Sequence, residues 1–217
     1  MRAAAPVGSV DPLDQDYLDS LKALAERVDH AWISNHLYWT GVDGVNLHDL
    51  LPLPYTAEAL AHVVDRNGQV QDYLSRRIAL ENASTYVTFT NLEMSEWDFL
   101  AEMAKRADCD LMLDVNNIFV SGFNHDFDPI GFIEGLPAER IVQIHLAGHE
   151  HNETHVVDTH DAPVIEAVWS LYSEAISRLG PITTMIERDA DIPPLAYMEA
   201  ELDRAHAIAA KALEQAA

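Results

Sequence analysis

The chain has 217 residues, a hydrophobic content of 48% and a formal net charge of -23, from 13 Lys plus Arg against 36 Asp plus Glu. That is enough apolar material for one sizeable domain or an unusually small barrel, while the charge repels phosphate backbones and anionic lipid and so excludes nucleic acid as an expected partner. Cys109 is the only cysteine, which excludes an internal disulfide framework and thiolate zinc sites and fits a cytoplasmic location. The first residues lack the long apolar run of a signal peptide, and no stretch reaches the length of a membrane span.

Taken in chain order, Asp11 and Pro12 read as the N-cap and first position of a helix, with Leu13, Tyr17, Leu18, Leu21 and Leu24 at helical spacing. "AWIS" follows as a short strand. Residues 40–56, rich in Gly, Asp, Leu and Pro, read as a long loop of the kind that forms lids or binding segments. "TAEALAHVVDRNGQVQDYLS" is helical and "RIALEN" a strand. "SEWDFLAEMAKRAD" is a helix capped by Ser95, and "DLMLDV" and "RIVQIHL" are strands. "DAPVIEAVWSLYSEAISRLG" is a helix closed by Gly180, "ITTMIER" is the fifth strand, and "PPLAYMEAELDRAHAIAAKALEQ" is the closing helix. Strands alternating with helices predict an α/β fold with a parallel sheet and outer helices. The strands are short and almost continuously apolar, as befits strands covered on both faces. The whole of residues 1–217 is read as one domain.

Each apolar run ends in a ligand-type residue: His36, Glu81, Asp114 (followed by Asn116 and Asn117), His145 and Glu187. Singly, such residues cap turns or form ion pairs. Jointly, they are the pattern expected where the ends of parallel strands converge on one face of a barrel. Burying several carboxylates together is costly unless cations neutralise them, so the pattern predicts a metal site. The donors are nitrogen and oxygen only, which suits iron, manganese or zinc, and their number suits two or three bridged ions. Five histidines fall between positions 145 and 160. Asp158 and His160 are two apart and can face the same way in an extended loop. His149 reaches the site or orients a ligand, whereas His151 and His155 read as solvated.

The motifs "SNHLYW", "HDLLPLPYT", "LEN", "LDVNN", "NHDFDP", "QIHLAGH", "DTHDAPV" and "IERD", in this order over residues 11–205, resemble the multinuclear non-heme iron-dependent oxidase family. The resemblance implies a (β/α)8 TIM barrel of xylose-isomerase-like type. It implies two or three iron ions cycling between Fe(II) and Fe(III), with oxygen as oxidant. The implied substrate is a cysteine of a ribosomally made precursor peptide, often presented by a separate recognition protein. The implied iron ligands are His36, Glu81, Asp114, Asn117, His145, Asp158, His160 and Glu187, with His145, Asp114 and Glu187 nearest the catalysis and Asn82, Asn116, His149 and Arg188 supporting them. Family members begin with further strands bearing "EVH-EN"-like and "HGV-LS"-like motifs, and the chain aligns only with the end of the second. The expectation is therefore about five of eight strands, at least one iron ligand fewer, and poor activity through amino-terminal truncation. Two other readings stand beside this one: a metal-dependent isomerase or phosphodiesterase on the same scaffold, and a non-catalytic fragment that completes another chain's barrel.

Overall fold

The computed structural model describes residues 7–28 and 30–216, and the chain divides into two compact units. Among the described residues, the first comprises 7–28, 30–83 and 87–111. Its first helix, α1, spans Gln15–Arg27 and is capped by Asp14, whose carboxylate accepts the Tyr17 N–H at 3.1 Å. The expected cap, Asp11, is engaged elsewhere: its two carboxylate oxygens accept the backbone N–H groups of Asp43 and Gly44, each at 2.9 Å. Strand β1 is Ser34–His36, displaced toward the histidine from the expected "AWIS" because its register pairs His36 with Glu81.

The expected loop of residues 40–56 is largely a hairpin, β2 (Trp39–Val42) and β3 (Val45–Leu51). Its two-residue turn is Asp43-Gly44, both at positive φ (54° and 75°), the conformation that matches the twist of the flanking strands and that Asp-Gly supplies readily. Helix α2 (Ala57–Leu74) is capped by Thr56 and buries Leu60, Val63, Val70 and Leu74 along one stripe. Strand β4 (Ala79–Glu81) pairs in parallel with β1. Helix α3 (Glu96–Ala107) starts at the expected Ser95 cap and buries Phe99, Leu100 and Met103. Strand β5, Asp110–Asp114, is shared by the two units.

Among the described residues, the second unit comprises 84–86 and 112–216. Helix α4 (Val115–His125) follows β5 without a linker, with Asp114 serving as both last strand residue and N-cap. A short α5 (Pro129–Glu134) leads to β6 (Ile141–Leu146). The histidine-rich segment then folds into a small hairpin, β7 (Glu150–His151) and β8 (Val156–Val157). Asn124 of α4 clasps this hairpin. Its amide nitrogen donates to the Val156 carbonyl, and its amide oxygen accepts the Val156 N–H, both at 2.9 Å. Helix α6 (Glu166–Leu179) ends at Gly180, as expected, and leads to β9 (Thr184–Ile186), which is parallel to β6. Helix α7 (Leu195–Ala216) closes the chain against α6. Gly148, after β6, lies so close to the backbone of Ala162 and Pro163 that a side-chain carbon there would collide with the Ala162 carbonyl. The five parallel strands run in the order β1-β4-β5-β6-β9, the α/β arrangement that the sequence predicts. No helix among the described residues is long and apolar enough to cross a membrane.

Candidate metal centre

In the first unit, the parallel register of β1 and β4 brings two strand-end residues side by side. His36 Nε2 lies 3.6 Å from Glu81 Oε2. The glutamate is buried, the histidine is partly exposed, and the imidazole packs edge-on against Tyr38 with ring centres 5.7 Å apart.

In the second unit, Asp114 is the last residue of β5, His145 is the penultimate residue of β6, and Glu187 directly follows β9. Asp114 is fully buried, and one of its oxygens accepts the Asn117 N–H at 2.7 Å. His145 Nδ1 lies 3.1 Å from Glu187 Oε2, while its Nε2 is 3.3 Å from Gln143 Oε1. Gln143 sits two residues earlier and therefore on the same face of β6. The Glu187 N–H donates to the Leu146 carbonyl at 2.9 Å, which extends the β6–β9 pairing as far as the site.

His160 reaches this group from the loop after β8, at a φ of 48° rather than in the extended conformation expected. Its Nε2 lies 2.8 Å from Asp158 Oδ1 and 3.7 Å from Asp114 Oδ2. Its Nδ1 lies 3.3 Å from Glu187 Oε2 and 3.9 Å from Asp189 Oδ2. The expectation that Asp158 and His160 face the same way thus corresponds to a direct contact between them. Asp158 is held by three further groups: Ser84 Oγ donates to its Oδ2 at 3.0 Å, Asn116 Nδ2 donates to its Oδ1 at 2.7 Å, and its own N–H donates to the Tyr86 hydroxyl at 2.9 Å. The sequence reading missed Ser84 and Tyr86. Their only signal is position, in the polar "NASTY" that follows the end of β4.

Asn117 is buried on the first turn of α4. His149 is buried against Asn116, whereas His151 and His155 are exposed, as expected of solvated loop residues. Arg188 is engaged by α7 and by the loop after His160. It pairs with Glu201 of α7 at 2.6 Å and donates to the Ala162 carbonyl, which braces the end of β9.

One oxygen from each of Asp114 and Glu187 and one nitrogen of His145 lie within 4.8 Å of one another. The same limit holds for a set drawn from His160, Glu187 and Asp189. Two donors on opposite sides of an ion, each at roughly 2 Å, are about 4 Å apart, so these separations are those of a set able to close on a metal. The donors are imidazoles and carboxylates, the chemistry that takes iron, manganese or zinc. Without an ion, protons do the neutralising. Burial works against a charged His160, but hydrogen bonding to Asp158 and Glu187 and the nearby Asp114 charge prevail and push its pKa up to about 11. Glu187 moves the other way: hydrogen bonds from His145 and then His160 hold it well below its ordinary 4.5, against the opposing effect of burial.

The signs of these shifts set a pH window for the metal-free protein. The His160 contribution to stability is complete below its ordinary 6.5 and is lost as pH climbs toward about 11. The Glu187 contribution is complete above 4.5 and is lost as pH falls below it. In urea melts of metal-free protein, the stability difference between wild type and His160→Gln is expected to be largest between these limits and to shrink steadily above pH 6.5. A difference that grows with pH above 6.5 would contradict an imidazolium at this position.

A family model described as the RiPP precursor modification enzyme MbnB/TglH/ChrH matches residues 5–210, where RiPP denotes a ribosomally synthesised and post-translationally modified peptide. The chain belongs to this family. The MbnB/TglH/ChrH family is the one that the sequence motifs resemble. Among curated relatives, the UPF0276 protein of Caulobacter vibrioides (strain NA1000 / CB15N) is 55% identical over 201 residues, covering 93% of this chain and 72% of that protein. The UPF0276 protein of Anaeromyxobacter sp. (strain Fw109-5) is 52% identical over 207 residues, covering 95% of this chain and 73% of that protein. Among solved structures, the D-psicose 3-epimerase of Clostridium cellulolyticum H10 with D-tagatose superposes with a TM-score of 0.55 at 15% identity, over 99% of this chain and 74% of that one. The IOLI protein with a bound zinc atom gives 0.55 at 13% identity, over 93% and 68%. These likenesses show the fold alone, a xylose-isomerase-like TIM-barrel topology in which this chain has a five-stranded parallel sheet. Membership of the MbnB/TglH/ChrH family makes RiPP precursor modification the coarse function and implies a metal-dependent enzyme.

Proposed function

We propose that the protein is an iron-dependent oxidase that modifies a cysteine of a RiPP precursor peptide, with oxygen as the oxidant. The observation that carries this reading is the gathering of Asp114, His145 and Glu187, from three separate strand ends, to within 4.8 Å. Membership of a family of RiPP precursor modification enzymes supports reading this donor set as a site for chemistry rather than a structural ion pair. The residues we assign to two or three irons are His36 and Glu81 in the first unit and Asp114, Asn117, His145, Asp158, His160 and Glu187 in the second.

Bound iron supplies one-electron exchange with oxygen and a position for the substrate sulfur. The protein's own groups prepare that chemistry. Asp114, buried and fixed by the Asn117 N–H, offers an oxygen of set direction. Glu187 Oε2 faces both His145 Nδ1 and His160 Nδ1, so that one oxygen keeps the two rings in register. Gln143 faces the other nitrogen of His145 and orients that ring. The acidic surface suits a peptide better than a nucleic acid. We also assign a recognition protein as the partner that presents the peptide.

The reading is tested by anaerobic loading with ferrous iron, addition of a cysteine-containing precursor peptide encoded beside the gene, with its recognition partner, and exposure to oxygen. Oxygen uptake together with a change in peptide mass is expected, and is expected to vanish when the peptide's cysteine is replaced by serine. Iron binding without oxygen uptake across all such peptides would overturn the oxidase reading and favour a metal-dependent isomerase on the same scaffold.

A further inference from the structure

Behind Asp158 runs a chain of hydrogen bonds whose direction the metal-binding reading leaves open. Asn116, on the first turn of α4, is fully buried. Its Nδ2 lies 2.7 Å from Asp158 Oδ1, and its Oδ1 lies 2.7 Å from His149 Nδ1. His149 is 6% exposed, and its ring stacks on Phe119 with centroids 5.0 Å apart and planes 19° from parallel. At the far end, Asp158 Oδ1 lies 2.8 Å from His160 Nε2.

The direction of these bonds follows from the groups themselves. An ionised carboxylate only accepts, so the amide NH2 of Asn116 must face Asp158. The amide oxygen then faces His149, and an oxygen cannot donate, so the proton must be on His149 Nδ1. Reversing any one member would set two acceptors or two donors against each other in a buried site, where an unmade hydrogen bond costs most. Burial lowers the His149 pKa, Asp158 opposing and His151 assisting, which favours a neutral ring, and the contact with Asn116 Oδ1 places its single proton on Nδ1.

From this we infer that His149 and Asn116 are positioning residues for the Asp158–His160 pair: His149, as its Nδ1-protonated tautomer, holds the Asn116 amide in the one orientation that fixes the Asp158 carboxylate. Phe119 supplies the flat surface that keeps the ring in plane. Gly148 lets the backbone pass close beside Ala162, so His149 enters the site from a segment packed against the loop that follows His160. The inference deepens the metal-binding reading and rests on it.

Two measurements test the inference. The first is nitrogen-15 long-range correlation NMR on metal-free protein at neutral pH, which is expected to show the His149 proton on Nδ1 and to lose that signature in Asn116→Ala. A proton on Nε2 would overturn the inference without reference to any metal. The second is anaerobic calorimetric titration with ferrous iron alone. His149→Phe keeps the ring stack but deletes the donor, and is expected to weaken iron binding by about 10- to 100-fold, the usual effect of removing a group that orients a ligand. His149→Asn places an amide N–H near the position of Nδ1 and is expected to restore most of the affinity. Wild-type affinity in a folded His149→Phe would overturn this inference alone. Failure of the wild type to bind iron would overturn the metal-binding reading as well, and the NMR result would still report on the tautomer.

Discussion

Asp114→Asn is expected to fold and to lose ferrous-iron affinity by at least about 100-fold, the upper end of what merely orienting groups contribute, with activity falling in step. The substitution separates two roles that one side chain combines. Asp114 caps α4, its Oδ1 accepting the Asn117 N–H at 2.7 Å, and asparagine caps helices about as well as aspartate. What asparagine lacks is the negative charge, at a fully buried position 3.7 Å from His160 Nε2. Urea melts of metal-free protein should therefore show the cap retained and only the part of the His160 stabilisation that the Asp114 charge supports lost, whereas calorimetric titration with ferrous iron should show a weakened or absent transition. Asp114→Ala is the harsher control, since loss of a cap costs about 1 kcal/mol in addition. Wild-type iron affinity in Asp114→Asn would remove Asp114 from the metal centre.

Ferrous iron is expected to raise the thermal midpoint of the wild type substantially. Ligand at 100 times its dissociation constant stabilises the folded state by about 2.7 kcal/mol, and in a chain of this size each kcal/mol shifts the midpoint by roughly 2–4 °C. The rise should thus be about 5–11 °C under anaerobic conditions. The physical source is replacement of protons by a divalent charge among Asp114, Asp158 and Glu187. The shift should be largely absent in Asp114→Asn. An unchanged wild-type midpoint at saturating iron would mean that these donors do not form a metal site in the folded chain.

Much of this was legible in the sequence because strand ends were. His36, Glu81, Asp114, His145 and Glu187 each follow an apolar run, and each lies within one residue of the end of a strand of the five-stranded sheet. The features that were harder to read have local causes. Helix α4 is buried along most of its length, including Asn116, Asn117 and Ser121, so it lacks the polar–apolar alternation by which surface helices announce themselves. It also starts on the last residue of a strand, which leaves no loop to mark the boundary. The hairpin of residues 39–51 was hidden by its loop-like composition, although Asp43-Gly44 between two valines is a turn signal in its own right. Helix α1 starts three residues later than Asp11 and Pro12 suggest because a long-range partner, the Asp43-Gly44 turn, takes the Asp11 carboxylate. Capping patterns are local, and such a competitor is invisible to them.

The clasp of Asn124 on Val156 also has a consequence in time. A two-residue ladder such as β7–β8 would open and reclose freely on its own, but both backbone groups of Val156 are held by one side chain of α4. Releasing Val156 means breaking both bonds to Asn124, so opening of the hairpin is coupled to the end of α4, and the Val156 amide is expected to exchange more slowly than a two-residue ladder alone would allow. The loop that carries His160 is thereby tied to the end of α4. Asp158 and His160 are kept near their partners between turnovers instead of having to be gathered again for each one.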